Sequence, residues 1–164
     1  MTRIYRSTVI SVVLLGALWA VSGSTRAVFA QSDPAVGSWK LNVAKSKYAP
    51  GPAPKTQVVT ITGAGKGIRV VSKGVDWDGK AISTEYTASY DGRDYPVLFN
   101  LVYDSISLKR IDANTSELVR KKGGKVIQNA RRAISADGKT MTVSTTGADD
   151  HGRKVDNVAV FDRQ

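Results

Sequence analysis

The sequence predicts an all-β fold, an antiparallel meander of about eight to ten strands that closes into a barrel. Turn signals recur every ten to fifteen residues or so: Gly65-Lys66-Gly67, Asp78-Gly79-Lys80, Asp91-Gly92-Arg93, Gly123-Gly124-Lys125, Asp137-Gly138-Lys139 and His151-Gly152-Arg153. Asp-Gly and Gly-Gly supply the positive φ angles that tight hairpins need. Between the turns, apolar and polar residues alternate with the period of two expected of half-buried strands. After Ala30, no stretch carries the 3.6-residue apolar period of a long amphipathic helix.

The first strand alternates Trp39, Leu41 and Val43 against Ser38, Lys40 and Asn42. Tyr48-Ala49-Pro50-Gly51-Pro52-Ala53-Pro54 then interrupts the pairing, because three prolines each lack a ladder donor; it reads as a stiff connection to the second strand. Strands follow at 57–62 and 68–75. A strand at 81–90 places Ile82, Tyr86, Ala88 and Tyr90 on one face. The long apolar run 95–103 is either a buried strand or an apolar loop over a barrel mouth. Further strands are expected at 105–111, 116–121, 126–134, 140–146 and 155–162, with a turn at Asp112-Ala113-Asn114. So many strands in one small domain would leave exposed edges, and closing the sheet removes them.

Residues 1–30 read as a cleavable export signal. Arg3 and Arg6 make a positive start, Thr8 to Val21 form an uncharged apolar run, and Val28 and Ala30 give the small-residue spacing of a cleavage site before Gln31. The run is short for a membrane span. The expected mature protein is residues 31–164, a single domain in the periplasm or outside the cell, not membrane-spanning after cleavage. Arg3, Arg6 and Arg26 leave with the signal, so the +10 of the full chain becomes +7. Those charges are dispersed, which favours solubility and loose attraction to anions such as envelope components. Nucleic acid is not an expected partner. The absence of cysteine excludes a disulfide framework, a thiol nucleophile and thiolate metal sites.

Val36-Gly37-Ser38-Trp39-Lys40-Leu41-Asn42 resembles the opening of fatty-acid-binding proteins and lipocalins, the calycin barrels, in which a Gly-x-Trp pair starts the first strand. With Lys45-Ser46-Lys47 after it, the run also looks like a set of small exported bacterial proteins. The resemblance implies a lipocalin-like barrel in which the tryptophan packs across one end and the glycine permits close approach. The fatty-acid-binding members place an Arg-x-Tyr pair on the last strand to hold a carboxylate. Here the corresponding place reads Ala159-Val160-Phe161, so that clamp is missing.

The candidate ligand-binding residues are Trp39, Tyr86, Tyr90, Tyr103 and Arg132. The aromatics and Phe161 suit either a filled barrel interior or a cavity for an amphipathic molecule. Arg132 shares a face with Val126, Ala130 and Ile134. Either it points inward and needs an anion or hydrogen-bond partner, its own chain's carboxylates or a stack on Trp39 included, or it straddles a rim with its head in water. No catalytic residues, metal ligands or cofactor are expected. The sole histidine, His151, lies in a polar turn, and the paired aspartates lie at turns as well. The expected function is non-catalytic binding of a small hydrophobic or amphipathic ligand. The alternative is a solid barrel whose basic clusters, Lys45-Ser46-Lys47 and Arg120-Lys121-Lys122, contact anionic envelope polymers or a protein.

Overall fold

Ten antiparallel strands pair in chain order until the last meets the first, in a computed structural model that describes residues 33–164. They are β1 (Gly37–Leu41), β2 (Thr56–Ala64), β3 (Gly67–Val75), β4 (Ala81–Ser89), β5 (Asp91–Leu98), β6 (Ser105–Arg110), β7 (Thr115–Lys122), β8 (Lys125–Ile134), β9 (Thr140–Ala148) and β10 (Lys154–Arg163). The seam closes through Trp39 opposite Arg163, Lys40 opposite Asp162 and Leu41 opposite Phe161. Every strand thus has two neighbours, and the meander ends as the closed barrel its pattern predicts. The export signal falls outside the described residues.

Up-and-down order sorts the connections to two ends. The β2–β3, β4–β5, β6–β7 and β8–β9 turns lie at the end where β1 begins and β10 finishes. The other connections, including the long one from β1 to β2, lie at the opposite end. The first of these ends is plugged and the second is open.

Four local departures from the expected pattern position the interior. Val43 leaves the β1 face, because the chain turns into a short 3-10 helix (Val43–Lys45) capped by Asn42, whose Oδ1 accepts from the Lys45 amide. The proline-rich segment first runs beside β10, with Lys47 bridged to Val158 and Ala49 bonded to Asp156 and Asn157. Its Tyr48 and Pro54 then reach the open mouth. Asp91-Gly92-Arg93 is not a free turn but the irregular start of β5, where register shifts between Asp91 and Asp94. Finally, β8 bulges: Arg120 faces Gln128 and Lys121 faces Val126, so Ile127 is an extra residue. Across the sheet Gly147, at φ +138, accommodates the displaced strand; a Cβ there would stand 2.1 Å from the Ile127 carbonyl oxygen. The bulge leaves Val126 exposed, where simple alternation had placed it inside with Gln128, Ala130 and Arg132.

The run 95–103 combines both of its expected readings. Tyr95 to Leu98 belong to β5, with Val97 buried, and residues 99–104 form an apolar loop at the open end.

Candidate functional site

The plugged end is built around Trp39, which is fully buried. Its indole N–H donates to the Ala35 carbonyl at 2.9 Å. The Arg163 guanidinium lies 4.1 Å from the ring centroid and donates to the carbonyls of Pro34, Val36 and Gly138. Gly37 is required beneath it: at φ +146, a Cβ would come within 2.3 Å of Arg163 Nη1. The arginine that covers Trp39 is therefore Arg163 of the last strand.

Arg132 occupies the layer above the plug and is 3% exposed, so its head is inside the barrel and not in water at a rim. Burying a guanidinium demands partners. Its Nε donates to Ser116 Oγ at 3.2 Å and its Nη2 to the Tyr90 hydroxyl at 3.0 Å. Tyr90 passes the interaction on by donating to Asp33 Oδ2 at 2.6 Å. Asp33 is also ion-paired to Arg110, which stacks 3.8 Å over the Tyr90 ring. The network ties the start of the domain to the β4–β5 junction and to β6, β7 and β8. Burial alone would raise the Asp33 pKa, but hydrogen bonds from Arg110 and Tyr90 outweigh it and hold the carboxyl below its ordinary value. Burial pushes the Tyr90 hydroxyl up to about 12.

Above this floor the barrel is hollow. A cavity of about 530 Å³ opens at the second end, within the range of small-molecule sites. Its two sides differ. Strands β2, β3, β9 and β10 supply Val59, Ile61, Val70, Met141, Val143 and Phe161, with polar Gln57, Ser72, Thr145 and Asn157 nearer the mouth. The facing side supplies Tyr86, Tyr103, Arg120, Gln128 and Arg132. Tyr86 is buried, and burial raises its pKa against the opposing charges of Arg132 and Arg120. The acidic residues of the lining, Asp76 and Asp150, sit in turns at the mouth.

Of the five sequence-predicted residues, Tyr86, Tyr103 and Arg132 meet in the cavity wall. Trp39 and Tyr90 belong to the plug beneath it. Arg120 and Gln128 were missed. As part of an Arg-Lys-Lys cluster, Arg120 reads as solvated, yet Ser116, Leu118 and Arg120 alternate on one face of β7, and that period is the signal for an inward arginine. Lys121 points outward and pairs with Asp94 at 2.7 Å. His151 is exposed in the β9–β10 turn beside Asp150.

The mouth is roofed by the β5–β6 loop. Phe99 is 70% exposed at φ +61, and Leu101 is 86% exposed. The loop is held by Asn100, whose Oδ1 accepts from the amides of Val102 and Tyr103 and whose Nδ2 donates to Thr84. Trp77, Val75, Leu98 and Val126 are also exposed around this end.

No protein-family model and no curated protein matches the chain. Among solved structures, the chain is similar to a zebrafish ileal bile acid-binding protein complexed with cholic acid, at 9% identity and TM-score 0.47, over 80% of this chain and 99% of that one. It is also similar to the S-type phycobiliprotein lyase CPES of Guillardia theta, at 16% identity and TM-score 0.49, over 80% of this chain and 89% of that one. At those scores the likeness carries no argument, and the closed ten-strand antiparallel barrel with its Gly37-x-Trp39 plug stands on its own strand pairing.

Proposed function

We propose that this protein is a non-catalytic carrier that takes a small hydrophobic or amphipathic molecule into the barrel and works outside the cytoplasm, after removal of residues 1–30. The observation that carries the reading is the hollow interior. A barrel of this size could be filled by its own side chains, yet this one keeps a cavity of about 530 Å³ between an apolar wall and a wall of hydroxyl, amide and guanidinium groups. An apolar loop at the open end gives such a molecule a route in. Native mass spectrometry of the protein purified from its own source tests the proposal: a discrete adduct released by organic solvent is expected. An unliganded mass, together with failure to take up any neutral hydrophobic dye, would refute it.

A second partner, an anionic envelope component at the mouth, is favoured by exposed Lys122 and Lys125 flanking Leu101 and Val126. Lys122 Nζ already reaches the Leu101 carbonyl. Binding to anionic polymers that weakens as salt rises is the expected result, because exposed charges are screened.

A further inference from the structure

The cavity holds two arginines, and they differ in what their guanidinium edges are doing. A guanidinium grips an oxyanion best side-on, through Nε and the Nη on the same edge. Arg132 already spends that edge on the fold: Nε donates to Ser116 and Nη2 to Tyr90. Arg120 is arranged the other way. Its Nη1 donates to Gln128 Oε1 at 2.9 Å, and Gln128 is itself anchored by donating to the Ala148 carbonyl. That leaves the Nε edge, and Nε is buried with no hydrogen-bond partner among the described residues. The guanidinium carbon lies 5.1 Å from the Tyr103 ring centroid, so one face is steadied as well. A buried, unpartnered N–H on a fixed cation is costly unless something else fills it. Asp76 and Asp150 of the lining form no ion pair with Arg120 among the described residues.

We propose that Arg120 is the anion-binding residue of the cavity, and that the ligand is a carboxylate amphiphile bound with its head in the mouth-side half. This rests on the carrier reading above and adds the ligand's charge and orientation. The place differs from the carboxylate clamp of the fatty-acid-binding resemblance, whose strand here carries Ala159 and Phe161. The apolar remainder of the ligand descends past Leu118 toward Ile61, Met141 and Phe161, and stops above the Arg132–Tyr90 floor.

The test uses protein produced from the full chain and the neutral dye Nile red, displaced by dodecanoate, dodecan-1-ol or dodecyltrimethylammonium. Dodecanoate is expected to displace the dye roughly 10- to 100-fold more effectively than the alcohol, the range for a charge-assisted paired contact. The cation is expected to be the weakest of the three. In Arg120→Gln the acid should fall to parity with the alcohol, each displacement being scored against that variant's own Nile red affinity, and Arg120→Lys, which keeps the charge without the fork, should fall between. In the unmodified protein the acid's advantage should vanish as pH is lowered through the ligand's own carboxyl pKa, a readout that needs no variant to fold. Equal displacement by acid and alcohol would overturn the anion site and leave the carrier reading standing. So would an advantage that is independent of pH or that survives in a folded Arg120→Gln. Failure of the protein to bind Nile red at all would overturn both.

Discussion

Replacing Gly37 with alanine should destabilise the barrel by about 2–3 kcal/mol, and the reason is the arginine above it. The new Cβ would lie within 2.3 Å of Arg163 Nη1, well inside contact distance. The guanidinium can move aside into solvent only by giving up the bonds to Pro34, Val36 and Gly138 that hold it over Trp39. Backbone strain at φ +146 contributes about 1 kcal/mol. Displacing the guanidinium forfeits its stack on the indole and part of its hydrogen bonding, together about 1–2 kcal/mol after allowance for the partial exposure of Arg163. For a domain of this size each 1 kcal/mol moves the melting temperature by about 4 °C. Urea denaturation of Gly37→Ala, Arg163→Ala and the double variant provides the assay. Once Arg163 is gone the Cβ has room, so in that background Gly37→Ala should cost only the backbone strain, about 1 kcal/mol. An equal cost in both backgrounds would refute the argument, because the penalty would then owe nothing to the guanidinium.

Other consequences are as direct. Tyr90→Phe should destabilise by about 2 kcal/mol, measured by chemical denaturation, because it leaves Arg132 Nη2 and Asp33 Oδ2 without their shared hydroxyl. Asp33 stabilises the fold through a lowered pKa, so its contribution is present above the unfolded value near pH 4 and is lost as pH falls through the lower folded value. The stability difference between the unmodified protein and Asp33→Asn, about 1–2 kcal/mol at pH 7, should therefore shrink as pH falls below about 4. Phe99→Ser with Leu101→Ser should leave the melting temperature within about 2 °C, since both side chains are largely in water, yet weaken dye uptake.

The closed barrel was legible because most of its turn chemistry is local: Asp78-Gly79, Gly123-Gly124 and Asp137-Gly138 each turn a hairpin, with Asp91-Gly92 drawn into a strand as the exception, and the intervening alternation does the rest. The Gly-x-Trp plug was legible through the resemblance of Val36 to Asn42 to the opening of the calycin barrels. Register was read well until a bulge intervened, and Ile127 shows why: one extra residue reverses the facing of everything beyond it, and nothing within β8 itself announces it. Val43 departed because Asn42 offers its side chain as a helix cap, a competing local bond that strand alternation ignores. The hollow interior depends on how far ten strands tilt and stagger, which is a property of the closed sheet and not of any segment. Arg120 was hidden by its neighbours Lys121 and Lys122, whose charge suggested solvent while its own parity pointed inward.

The seam between β1 and β10 joins the two ends of the domain, and bonds across it link residues up to 129 apart in the chain. Nine of the ten strand pairings join strands adjacent in sequence, whereas the tenth must wait for the whole chain to be gathered. Folding speed should thus be governed by that last junction. A circular permutant makes the point concretely: the Gln164 amide already donates to the Ser38 carbonyl, so a short linker from Gln164 to Asp33 turns the slow junction into a hairpin. New termini at Gly123-Gly124 pass the burden to β7 and β8, and the same finished barrel would be assembled with a different strand pair arriving last.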